Sequence, residues 1–235
     1  MTAMRKRCVL RHQAQTRSHD VCAKHQDTLR ATDGGAKNSE MLGEAVTTVA
    51  RSFGILQRCR DKVTAALAVI RTARPNVLWG LKALVNIAPS VALEPGVAKV
   101  FHMPQGRSAE ELLAVARDAM DKVAPFTKEF LAAGLPPAVL TDLPKQIADL
   151  SAARLAKSEA SREFTLTSGI IDERLDAGGE AIRIALTILD NSPARPTDAV
   201  KDLRLAKRIS PSTVKAETPE TPASVTTEPA QTKIA

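Results

Sequence analysis

Tyrosine is absent from this chain, tryptophan occurs once, and aromatic residues make up only 3% of it. Alternating runs rich in Val, Ile, Thr and Tyr are missing too. Together these shortages exclude a β-sandwich or barrel, which draws on β-branched and aromatic side chains. Histidine is scarce: of four, only His102 lies beyond residue 25. General acid–base work needs positioned histidines or paired carboxylates in a pocket, so an enzyme is the least supported class. No residue is assigned a catalytic, cofactor-binding or metal-ligating role, and no cofactor is expected. Cysteine occurs three times, as Cys8, Cys22 and Cys59. An odd number at irregular spacing is not a disulfide framework and suits a reducing, cytoplasmic setting. The basic start MTAMRKRCVLRHQ leads into no apolar stretch of the kind a secretory signal needs.

What is abundant is alanine and leucine at helical spacing. Ser108 to Pro137 carries the most complete helix signal. Ser108 stands three residues before Glu111, the capping-box spacing, and Glu110 and Glu111 favour the positive end of the helix dipole. Leu112, Val115 or Ala116, Ala119, Val123, Phe126 and Phe130 share one face. Pro125 predicts a kink or a split near Ala124. Gly134 suits a left-handed residue just past the end, and Pro136–Pro137 forbid continuation.

Before it, a long helix is predicted from Ser39 to Arg74, capped by Asn38 or Ser39 and stopped by Pro75. Its seam reads Leu42, Val46, Val49, Phe53, Leu56, Val63, Leu67, Ile70, a heptad spacing broken only at Arg60. Cys59 beside that slot reads as a small buried residue. At about 1.5 Å per residue this helix spans on the order of 50 Å. Next, NVLWGLKALVNIA is apolar nearly all round and predicts a short buried helix anchored by Trp79. Lys82 and Pro89 interrupt it well before the roughly 20 apolar residues of a membrane span. Residues 90–103 predict a helical turn or two, with His102 as a loop residue.

The last long helix begins after Pro137 and reaches Asp190, with Pro144 at a kink or its first turn. Its seam runs Leu143, Ile147, Leu150, Ala153, Ala160, Phe164, Ser168, Ile171, Leu175, Gly178, Ile182, Leu186, Leu189. At roughly 65–75 Å it is expected to overhang its partners. Gly178 on the seam predicts close approach of a neighbouring helix or a bend. The carboxylates Asp172, Glu173, Asp176 and Glu180 read as a solvated face, because no histidine joins them as di-iron chemistry requires.

The formal charge of +7 sits in the ends. Residues 1–37 hold eight Lys/Arg against three Asp/Glu, whereas residues 38–192 hold eighteen of each. Residues 1–37 read as a disordered basic arm. Its Cys8, His12, His19, Cys22 and His25 are ligand types for zinc, but their spacing matches no finger and no core surrounds them. A start at Met41 is an alternative reading of this segment. Residues 193–235 read as a Pro/Thr-rich tail, with KDLRLAKRI as a short basic helix.

The segments FHMPQGRSAEELLAVARDAM and APFTKEFLAAGLPP resemble a loose family of uncharacterised bacterial all-helical proteins. Those proteins share an aromatic-x-Met-Pro segment, a helix with Ala-Met and a Gly-Leu-Pro-Pro turn. The resemblance covers about residues 39–190. It implies a helical bundle and no activity. The expected architecture is therefore all-α: an elongated antiparallel bundle of three or four helices over 38–192, with disordered tails at 1–37 and 193–235. The expected role is a non-enzymatic scaffold that pairs with a second copy or another helical protein. Two other readings give the chain a nucleic-acid grip through residues 1–37, or a membrane-surface contact through residues 77–93.

Overall fold

The computed structural model describes residues 3–91, 99–106, 108–192 and 197–208. In chain order its helices are α1 (Ala3–Lys24), α2 (Gln26–Arg30), α3 (Asp33–Ile87), α4 (Ala109–Val123), α5 (Thr127–Ala132), α6 (Pro137–Asn191) and α7 (Thr197–Ala206). Short 3₁₀ turns occupy Ala88–Ser90 and Ala124–Phe126. No strand occurs among the described residues, so the fold is all-α. The helices outnumber the three or four expected.

α3 and α6 form an antiparallel hairpin. Lys62 lies 3.5 Å from Glu163 and Glu44 lies 3.5 Å from Arg174, so one helix ascends as the other descends. Each is 55 residues long, roughly 80 Å at 1.5 Å per residue. Because the two are equally long, α6 does not overhang its partner.

The contact between them alternates small residues with larger ones such as Leu42, Val49, Leu56, Leu150, Ile171 and Leu175. On α3, Ala45, Ser52, Cys59, Ala66 and Ala73 are buried at every seventh position. Opposite them on α6, Ala153, Ala160, Thr167 and Ala181 are buried on the same spacing. The expected α3 seam holds at Leu42, Val49 and Leu56, which are buried, and is corrected at Val46, Phe53 and Leu67, which with Arg60 are only half-buried, one residue round from the contact. They pack toward the flank instead, where Val46 and Phe53 join the cores beneath α1.

Short helices thicken each end of the hairpin. At the loop end, α4 and α5 bring Leu112, Leu113, Ala116, Ala119, Val123 and Phe130 onto Val77, Leu81, Leu84, Leu143 and Leu150. Ser108 caps α4 by accepting from the Glu110 N–H at 3.1 Å. Glu111 does reach back, but to the backbone N–H groups of Gln105 and Gly106, 2.9 and 3.0 Å away. Pro125 splits α4 from α5 as expected, and Gly134 ends α5 at φ 96°. At the other end, Cys22 of α1, Leu29 of α2 and Ala199, Val200 and Leu203 of α7 close over Leu42, Ala181, Ile182, Ala185 and Leu189.

Several expectations are corrected. Residues 1–37 are not a loose arm: α1 and α2 fill most of them, and α3 starts at Asp33 behind a Thr32 cap that accepts from the Gly35 N–H at 3.2 Å. α1 escapes an apolar search because its buried stripe is Ala14, Gln15, Ser18 and Cys22. Small size, not hydrophobicity, is what repeats there.

Pro75 does not stop α3. A proline inside a helix costs ~3 kcal/mol or more, but Pro75 is exposed and Ala73, Val77, Leu81 and Leu84 around it are buried. Burying a Val or Leu side chain returns about 1.5–3 kcal/mol, so two or three such side chains offset the proline. Trp79 is not the buried anchor; it is 58% exposed. Residues 90–103 are no helical linker where described: past Ser90, residues 99–104 are non-helical, and 92–98 lie outside the described residues. Within the expected tail, α7 is instead part of the core; residues 209–235 lie outside the described residues.

The small-residue contact makes a direct prediction. Ala45→Leu forces volume into a fully buried seam position and lowers stability by about 1–3 kcal/mol, whereas exposed Ala68→Leu stays within about 0.5 kcal/mol of the native chain. Urea denaturation followed by circular dichroism separates the two. Equal stability of both variants contradicts the seam.

Candidate functional site

The short helices that touch both long ones lie on one side of the hairpin. Arg117 of α4 donates to Ser151 at 2.8 Å, Glu110 of α4 pairs with Arg154, and Cys8 of α1 donates to Asp172 at 3.6 Å. Positions 151, 154, 158, 161, 165, 168 and 172 are steps of three and four, hence one stripe of α6. The opposite stripe of α6 passes through Asp149, Ala152, Ala156, Glu159, Glu163, Leu166 and Ile170. Its counterpart on α3 passes through Met41, Arg51, Ile55, Arg58, Lys62, Ala65, Val69 and Trp79. Met41, Val69, Trp79, Leu166 and Ile170 are exposed there, Leu166 by 61%.

Midway along this open side the alanines leave a trough of about 650 Å³. Ala65, Ala66, Val69, Ala152, Ala153 and Ala156 form its floor, and Lys62, Asp149, Glu159 and Glu163 stand on its rim. The rim is polarised over its central stretch, between Glu44 of α3, which pairs with Arg174, and Lys145 of α6. α3 contributes Arg51, Arg58 and Lys62, while α6 contributes Asp149, Glu159, Glu163 and Glu173. Periodicity alone could have revealed this face, as a second heptad stripe three residues from the seam.

On the covered side, α1 holds the residues singled out as possible zinc ligands. They do not converge. Cys8 meets Asp172, His12 sits edge-on to Phe53 with ring centroids 5.6 Å apart, and Cys22 is buried near Leu29 and Leu42. His19 lies against Gly43, and His25 occupies the N-cap position of α2 without a side-chain capping hydrogen bond. Among the described residues no three His, Cys, Asp or Glu side chains gather as a metal cage.

The expected solvated carboxylates are partly engaged: Asp172 takes Cys8 and Asp176 takes Arg11. Arg17 donates to the Arg208 carbonyl at 2.9 Å. Two arginines of the supposed phosphate-gripping arm are thus tied to the fold. Gly178 allows the close approach its seam position predicted, because a Cβ there would lie 2.7 Å from the Gln15 side chain. Gln15 in turn donates to the Leu175 carbonyl at 2.6 Å.

Burial pushes the Cys22 thiol up to about 11. The Cys59 thiol is raised by burial and then by the Glu163 carboxylate, and the Cys8 thiol by burial and then by Asp172. All three are held as neutral thiols, the opposite of what a nucleophile or metal ligand needs. His102 is exposed in the turn after residue 100, with Nδ1 3.0 Å from the Val100 carbonyl. The membrane-facing reading of residues 77–93 meets Val77, Leu81, Leu84, Ala88 and Val91 turned into the core. Among the described residues no helix is long and apolar enough to cross a membrane.

His12 is pushed below its ordinary value of 6.5 by burial. The folded state therefore holds the neutral ring. Its contribution is complete above 6.5 and drains away as pH falls through 6.5 toward the lowered folded value. Amides of α1 are expected to exchange faster with solvent, after correction for intrinsic rates, as pH drops from about 7 to 5. His12→Phe keeps the ring contact and removes this acid dependence. Identical pH profiles for native and variant α1 contradict the assignment.

No family model matches this chain, and neither a curated protein nor a solved structure does.

Proposed function

We propose that the chain is a non-enzymatic scaffold whose α3–α6 hairpin is a stiff rod and whose open face is the working surface. The observation that carries this reading is the alignment of Met41, Val69, Trp79, Leu166 and Ile170 on one side of the hairpin, all exposed. Isolated exposed apolar residues are ordinary, but a run of them along one face marks an interaction surface. The hairpin suits such a role mechanically: paired helices of equal length keep their spacing over roughly 80 Å, and the small-residue seam fixes their register.

Size in a lysate of the native host tests it. The native chain is expected to migrate in an assembly larger than one chain. Trp79→Glu combined with Leu166→Glu, both at exposed positions, is expected to return it to single-chain size with its helicity intact. A native chain that migrates alone overturns the scaffold reading.

A further inference from the structure

We infer that the occupant of the open face is a second copy of this chain, docked so that α3 of each protomer lies over α6 of the other. This rests on the scaffold reading and names its partner. The argument begins with charge. Over the central stretch of the open face α3 presents Arg51, Arg58 and Lys62 and α6 presents Asp149, Glu159, Glu163 and Glu173; the opposite signs, Glu44 on α3 and Lys145 on α6, fall outside that stretch, and Glu44 is paired with Arg174 of its own chain. Two hairpins can stack face to face around a two-fold axis in two ways. An axis across the helices sets α3 on α3 and α6 on α6, so base meets base and acid meets acid. An axis along the helices sets α3 on the partner's α6, so base meets acid. Like charges brought together at an interface cost several kcal/mol, which selects the second arrangement.

The levels of the two helices agree with it. Within one chain Lys62 lies beside Glu163 and Gly80 lies against Leu143. An axis along the helices preserves level, so Lys62 of one protomer stands over Glu163 of the other, and Arg51 over Glu173. The apolar residues match as well: Ile55 stands over Ile170, and Val69 over Ala156. Small meets small at the two troughs, which lets the helices approach, and Val69 of each protomer enters the trough of the other. Every helix in the resulting four-helix core runs antiparallel to its neighbours, an arrangement common to bundles.

Area is sufficient. The face measures roughly 80 Å by 20 Å from helix length and spacing. A stable dimer buries about 800 Å² per partner, about half of that. The surface is also the same patch on both protomers, as a closed two-fold interface demands.

Sedimentation velocity of the purified full-length chain tests the inference. The native protein is expected at twice the 25.1 kDa of one chain. Arg58→Glu with Lys62→Glu is expected to sediment as a monomer, and so is Glu159→Lys with Glu163→Lys. Mixed in equal amounts, the two variants are expected to recover a dimer containing one of each. Mixing cannot restore the Lys62–Glu163 contact inside either chain, so recovery isolates pairing between chains. Circular dichroism of each variant confirms retained helix. A native dimer untouched by both variants overturns the inference, as does a mixture that stays monomeric. A purified native monomer that still joins a larger assembly in the lysate also overturns the second copy, while leaving the scaffold reading in place with another occupant. A monomer in both settings overturns both.

Discussion

Everything in this molecule follows from how closely α3 and α6 approach. Ala45, Ser52, Cys59, Ala66 and Ala73 on one helix meet Ala153, Ala160, Thr167 and Ala181 on the other. Such residues bury little apolar area each, so the seam alone contributes modestly by the usual ~25 cal/mol per Å². What it gives is proximity and register. Between these close contacts Leu42, Val49, Leu56, Ile171 and Leu175 fill the intervening layers, while the remaining bulky side chains lie on the two flanks. One flank takes Val46, Phe53 and Phe164 under α1. The other keeps Met41, Val69, Trp79, Leu166 and Ile170 in solvent. Where Ala66 faces Ala153 and Ala160, the close approach leaves Val69 outside the contact.

The same constraint explains why the core divides into an end around Phe130 and Leu84, an end around Leu29 and Leu189, and a thin middle. α4 starts near Arg154 and α1 reaches only to about Asp172. Between them the hairpin is two helices thick among the described residues, and Arg60 lies over the Phe164 ring at 5.5 Å. Local stability follows the number of buried apolar contacts, so the ends hold the middle in register. Lys62–Glu163, an exposed pair in the middle, adds little, as surface ion pairs are worth about 0–1 kcal/mol.

The sequence made some of this legible and hid the rest for physical reasons. Heptad spacing found both long helices, and it placed α6 well because its seam contains Leu143, Ile147, Leu150, Ile171, Leu175 and Ile182, all buried. On α3 it placed Leu42, Val49 and Leu56 correctly but took Val46, Phe53 and Leu67, one residue off, for the alternate layers, because hydrophobic periodicity weights bulk and those layers are Ala45, Ser52, Cys59 and Ala66. α1 was invisible for the same reason: Ala14, Gln15, Ser18 and Cys22 form a stripe of size without a stripe of hydrophobicity. Pro75 misled because a local rule about backbone hydrogen bonding was outweighed by burial on either side. The open face went unseen because residues on a heptad stripe were assigned to a core, and the second stripe had no core to belong to. Gly178 and Pro125 were read correctly, since each acts through its own backbone or its missing Cβ, which needs no knowledge of partners.

α1 and the open face lie on opposite sides of the hairpin, and this separates two properties of the molecule. Beneath α1, His12 Nδ1, Gln15 Oε1 and Arg17 Nε are buried without a protein partner. An unsatisfied buried polar atom costs on the order of 1–3 kcal/mol, so α1 is held with less surplus than α4, whose buried face is Leu112, Leu113, Ala116 and Ala119. Acid adds to that strain through His12, which burial holds below its ordinary value. Loosening α1 exposes Phe53 and Phe164 on the covered flank. It leaves Lys62, Glu163, Val69 and Leu166 where they are, because their positions are set by the α3–α6 seam and not by α1. A change in the docking of α1 therefore reaches the open face only if it first separates the seam, and the seam is anchored at the far end by Phe130 and Leu84, which α1 does not touch.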